Sequence, residues 1–195
     1  MRIKTIFLVL MLLFAVSSPS LAAGAPLDYD FRNTCWGMSK AEVASHESLA
    51  PLDLGGGELA YLTTIDGKNC LLFYSFHEDR LYLGGYLFLV EHTNPNDYIS
   101  DYNSLKQLLD KKYGEAGQSG MDWRNDHYRE NQNEWGRAVS LGHLLYYSIW
   151  ETPRTEITMG LSGENHDVKL MIGYESKEYG PEAASRRDEA TIKDL

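Results

Sequence analysis

Ser162, His166 and Asp167 stand within six residues of one another, the residue types of a nucleophile, a base and an orienting acid. Gly160-Leu161-Ser162-Gly163 is not the G-x-S-x-G elbow of a hydrolase, and a hairpin turn accounts for all three side chains. The histidines (His46, His77, His92, His127, His143, His166) are scattered, with no H-x-x-x-H or H-E-x-x-H pair. Asp122-Trp123-Arg124-Asn125-Asp126-His127 has acids at calcium-loop spacing, but Arg124 interrupts them and the sixth position lacks glycine. Gly55-Gly56-Gly57 precedes an apolar run instead of following one, which makes it a hinge and not a phosphate cradle. Carboxylate pairs cannot be assigned among 28 acids. The residues therefore predict no catalytic site, no metal site and no cofactor, and favour a binding protein over an enzyme.

Cys35 and Cys70 are the two cysteines. An even pair in an exported chain reads as a disulfide. It would close a loop of 36 residues, worth about 3–4 kcal/mol by chain entropy. Two buried free thiols are the alternative.

Export itself is read from residues 1–22. Arg2 and Lys4 precede an apolar run from Ile6 to Val16, and SSPSLA brings small residues to a cleavage site between Ala22 and Ala23. Eleven apolar residues fall short of the roughly 20 that span a bilayer, so no membrane span is expected after cleavage. The remaining 173 residues carry 16 basic and 28 acidic side chains, a net charge of −12. Such a chain repels phosphate backbones and anionic lipid, which excludes nucleic acid as the expected partner. The expected location is periplasmic or secreted, and the expected partner another periplasmic or envelope protein.

The elements follow from spacing. Ser39 and Glu42 form a capping box with Met38 and Val43 as its staple, predicting a short helix that ends near Glu47. Three strands are predicted over Glu58–Ile65, Cys70–Phe76 and Leu81–Val90, with a hairpin at Asp66-Gly67 and a bulge at Gly84-Gly85. Tyr98, Tyr102, Leu105, Leu109 and Tyr113 mark a second helix, capped by Asn94 and stopped at Gly114. Residues 117–137 read as a short strand at Met121–Arg124 followed by a polar loop carrying Trp123, Tyr128 and Trp135. Strands return at Leu141–Glu151, Thr155–Leu161 and Val168–Glu175, with a turn at Gly163-Glu164-Asn165. The expected fold is α+β: two helix-plus-antiparallel-meander units, about 31–91 and 94–176, with the helices packed on one face. The charged tail 177–195 is expected to be weakly helical or disordered.

Trp36-Gly37-Met38-Ser39-Lys40-Ala41-Glu42-Val43 resembles the helix start of the SmpA/OmlA-like small periplasmic domains, although the lipid-bearing cysteine of the accessory lipoprotein in that family is absent. The doubled layout is similar to that of the tandem β-lactamase inhibitor proteins. The resemblance implies binding of another protein without chemistry.

One pattern suggests where. Leu81, Leu83, Leu87 and Leu89 alternate with Tyr82, Tyr86, Phe88 and Val90, and the strands at 70–76 and 144–150 are apolar on both sides. If helices cover the aliphatic side, an aromatic side remains, and Tyr74, Tyr82, Tyr86, Tyr146 and Trp150 become a contact face. The alternative is that the loop and tail bury these rings. A small-ligand or hydrolase site at 117–137, using Trp123, Trp135 and nearby acids, is the second functional reading.

Overall fold

The structure, a computed structural model, describes residues 28–53 and 58–193, with side chains as far as residue 186. The expected leader and the glycine run 55–57 lie outside the described residues. Among the described residues the fold is α+β, with four α-helices and one antiparallel sheet of eight strands in the order β1-β2-β3-β4-β8-β7-β6-β5. In chain order the elements are α1 (Lys40–His46), β1 (Pro51–Leu52), β2 (Leu59–Ile65), β3 (Lys68–His77), β4 (Arg80–Phe88) and α2 (Asn96–Tyr113). They continue with β5 (Gln118–Trp123), α3 (Trp135–Ser140), β6 (Leu144–Glu151), β7 (Thr155–Glu164), β8 (Asp167–Ser176) and α4 (Gly180–Lys193).

Local chemistry sets these boundaries. Ser39 accepts from the Glu42 N–H while the Glu42 carboxylate accepts from the Ser39 N–H, so both orphan donors of the first turn are satisfied. Asn94 accepts from the Asn96 N–H at 3.2 Å at the start of α2, and Gly114, with φ 87°, ends it. The β2–β3 turn uses Asp66-Gly67 at φ 50° and 72°, the left-handed pair that a two-residue hairpin demands. The β7–β8 turn falls at Asn165-His166, with φ 50° and 71°, two residues beyond the start of the expected turn.

The expected bulge is not at Gly84-Gly85. Those residues pair regularly with Tyr74 and Phe73, and the register slips instead between Ser75 and Phe76. The two glycines are there for rings. A Cβ at Gly84 would sit 2.4 Å from the Phe31 ring on one side of the sheet, and one at Gly85 would sit 2.6 Å from the Phe73 ring on the other. The polar stretch 117–137 also carries more structure than expected: β5, two 3₁₀ turns and the start of α3. Six helical residues are too few to display a 3.6-residue period.

One face of the sheet holds the core. Tyr61, Leu72, Tyr86, Ile172, Met159 and Ser148 form one cross-strand row on it, all buried. From α2, Tyr102, Leu105 and Leu109 join this core, and the Tyr102 hydroxyl meets Ser148 Oγ at 2.7 Å. Phe31 and Trp36 from the N-terminal segment join it too, and Trp36 Nε1 donates to Thr155 at 2.9 Å.

The expected disulfide is corrected: Cys35 and Cys70 are both free thiols. Cys70 is fully buried on β3, with Sγ pointed at the Thr63 carbonyl of β2 at 3.7 Å. Cys35 is half-buried in the N-terminal turn beside Asp30 and Arg154, its N–H on Met38 Sδ. The register of β3 aims one sulfur into the β2 backbone while the turn holds the other among charges.

Candidate binding surface

The aromatic contact face is corrected as well. Tyr74 is 0 % exposed, Tyr82 7 %, Tyr86 8 %, Tyr146 8 % and Trp150 1 %, so none of the five presents a surface. Tyr102, Leu105 and Leu109 of α2 pack on the aromatic side of the sheet, and Leu62 and Met171 stand exposed on the other.

Tyr74 and Tyr86 instead belong to a buried polar clasp. Glu47, at the end of α1, has a side chain 2 % exposed and takes a two-pronged contact from Arg32, Nε at 2.7 Å and Nη2 at 3.1 Å. The Tyr74 hydroxyl donates to the same carboxylate, and Arg32 Nη1 reaches the Tyr86 hydroxyl at 3.4 Å. Burial and the hydrogen bond to Glu47 hold the Tyr74 phenol well above its ordinary range. Desolvation works against the Arg32 charge, but the bonds to Glu47 and Tyr86 outweigh it and raise its pKa. The clasp ties the N-terminal segment and α1 to the sheet. Each member has a hydrogen-bond partner within the clasp.

Tyr146 and Trp150 lie beneath α2. Trp150 Nε1 donates to Asp110 Oδ1 at 3.0 Å and to the Gly114 carbonyl at 3.1 Å, satisfying the end of that helix. Desolvation pushes the Tyr146 phenol up to about 12.

The other side of the sheet is a different surface. Leu62, Leu71, Leu87 and Met171 stand directly opposite one another across β2, β3, β4 and β8, and the row continues through Gly160 and Tyr147. Leu62 is 55 % exposed and Met171 46 %, while Leu71, Leu87 and Tyr147 are half-buried. The next row, Ala60, Phe73, Gly85, Gly173, Thr158 and Ile149, is also apolar or small. Phe73 lies over Gly85, and a Cβ at Gly173 would meet nothing within 4 Å. The result is a shallow trough of Gly160, Gly173 and Thr158 between two apolar shoulders. α4 packs against β4, and its first residue, Gly180, abuts the Glu175 side chain at one border.

Reading the sequence missed this surface because β4 is apolar on both sides. The charges of β8 mark it: Lys169 and Glu175 alternate with Leu170, Ile172 and Tyr174, which puts Met171 outside with the charges.

Other features are already occupied. In the polar loop, Trp123 and Trp135 pack edge to face at 5.8 Å, Trp135 Nε1 donates to the Arg129 carbonyl, and Tyr128 stacks on His143. His77, Glu78 and Glu182 lie within 4.8 Å of one another, but Arg80 donates to Glu78 at 3.0 Å and to Glu182 at 3.3 Å and supplies the cation there. A cleft of about 380 Å³ beside Arg32, Lys112 and Arg154 is open to solvent, and its arginines are paired with Glu47 and Asp30. No helix among the described residues is long and apolar enough to cross a membrane.

No known protein family, no curated protein and no solved structure matches this chain.

Proposed function

We propose that this chain is an exported, non-enzymatic binding protein that works in the periplasm or outside the cell and holds another envelope protein on the open side of its sheet. We read it as two helix-plus-meander units, about 31–91 and 94–176, whose meanders join edge to edge with their helices gathered on one face. A basic, apolar leader at residues 1–22 supports export. The observation that carries the binding role is the cross-strand row Leu62, Leu71, Leu87 and Met171, left outside the core. Contiguous exposed apolar area on a soluble chain marks interaction sites. The fold resemblance, binding without chemistry, points the same way.

The test is capture from an envelope extract by the mature protein and by L62S/M171S, with any captured protein identified by mass and rebound in purified form. Capture by the wild type and its loss in the variant, at unchanged melting temperature, is the expected result. Equal capture by the variant overturns the open-face role.

A further inference from the structure

Bordering the apolar rows is a line of acids. Glu151 stands opposite Glu156 across β6–β7, and Glu156 stands opposite Glu175 across β7–β8. The line runs on through Leu83 to Ser75, whose hydroxyl donates to Glu58 at 3.0 Å. Directly opposed positions bring Cβ atoms to about 5 Å, and like charges there are destabilising. Lys177 answers Glu151 at 2.6 Å; among the described residues neither Glu156 nor Glu175 has a basic partner. On the open side of the described strands the one lysine is Lys169, beside Asp167 at 3.8 Å. A surface meant only to stay soluble would interleave its signs.

We infer that the open side takes a segment that presents lysine or arginine next to apolar side chains. Its apolar residues lie over Leu62, Leu87 and Met171 and in the trough at Gly173, and its cations answer Glu156 and Glu175. This inference rests on the open-face reading and adds the partner's charge to it. Binding then relieves a repulsion that the free protein carries, so the contact is stronger than an ordinary rim ion pair and screens with salt.

The probes are three short labelled peptides: alternating leucine–lysine, alternating leucine–glutamate, and serine–lysine of the same charge. Fluorescence anisotropy reads each on the wild type, on E151Q/E156Q/E175Q, on L62S/M171S, and on E91Q/D97N/E130Q. The last removes the same charge at exposed positions elsewhere. The expected result is binding of leucine–lysine alone, weakened about tenfold by the ladder triple variant and hardly by the control. Glu156→Gln alone should also raise the melting temperature, a readout that needs no ligand. Equal binding of leucine–glutamate, or equal weakening by both triple variants, overturns the charge inference and leaves the open-face reading standing. Binding of leucine–lysine unchanged in L62S/M171S overturns both. No binding by any peptide overturns the charge inference.

Discussion

Tyr86 and Leu87 are neighbours in the chain and lie on opposite sides of the sheet. Tyr86 is 8 % exposed and packs against Phe31, whereas Leu87 pairs with the outward-facing Met171. Tyr86→Ala should therefore cost about 3–5 kcal/mol, the range for truncating a buried aromatic. Met171→Ser should stay within about 0.5 kcal/mol, as surface changes do. Urea unfolding of the two variants checks the sidedness directly. A stability loss at Met171 comparable to that at Tyr86 would mean that something covers the open side.

Glu47 carries the clasp, because Arg32 and Tyr74 both use its carboxylate. Glu47→Ala leaves a half-buried guanidinium and a buried hydroxyl without their acceptor, and should destabilise by about 3 kcal/mol. Glu47→Gln, which keeps an acceptor for Tyr74, should lose less. A Glu47→Ala variant as stable as wild type sinks the idea that this pair fastens the N-terminal segment.

Burial raises the Cys70 thiol to about 11 and also raises the phenols of Tyr74, Tyr86 and Tyr174. A group whose folded pKa is raised contributes its stability fully below the unfolded value and loses it as pH climbs toward the folded one. Unfolded values lie near 8.5 for cysteine and about 10 for tyrosine. The melting temperature should accordingly hold through neutral pH and fall above about pH 9. Tyrosinate absorbance should rise in two stages, the later one coinciding with unfolding. Buried phenols that ionise near pH 10 with the fold intact would refute this.

The two thiols differ in reach. Cys35 is half-buried and Cys70 fully buried, so a thiol reagent should modify Cys35 in the native protein and Cys70 only in denaturant. Two modifications after unfolding without reductant are expected. Native labelling of Cys70 at the rate of Cys35 would contradict its place in the core.

Much of the local structure was legible because its signals are short-range. Ser39 with Glu42, Asp66-Gly67 and the Tyr102–Leu105–Leu109 stripe each encode an element within a few residues. The sidedness of β4 was not legible, because Leu87 and Tyr86 are equally able to fill a core. The choice is made by partners distant in sequence: Phe31, which needs the notch at Gly84, and β8, which aligns Met171 with Leu87. The acid ladder was hidden for the same reason. Glu151, Glu156 and Glu175 become neighbours only through the β6–β7–β8 register. The disulfide expectation failed because the number of cysteines does not encode the surroundings of each sulfur: Cys70 Sγ meets the Thr63 carbonyl, and Cys35 lies beside Asp30 and Arg154.

Gly84 and Gly173 test that account, since they lie in adjacent strands and face opposite ways. Gly84 pairs with Tyr174, Gly173 with Gly85. A methyl group at Gly84 would meet the Phe31 ring at 2.4 Å, while one at Gly173 meets nothing within 4 Å. Gly84→Ala should cost about 1–3 kcal/mol through overpacking. Gly173→Ala should be neutral or gain up to about 1 kcal/mol, because alanine loses less backbone freedom on folding. Thermal melting separates the pair. Gly173→Leu extends the comparison, filling the trough without touching the core. It should keep the fold and weaken the leucine–lysine peptide, and a variant that folds and binds the peptide as wild type does would remove the trough from the binding surface.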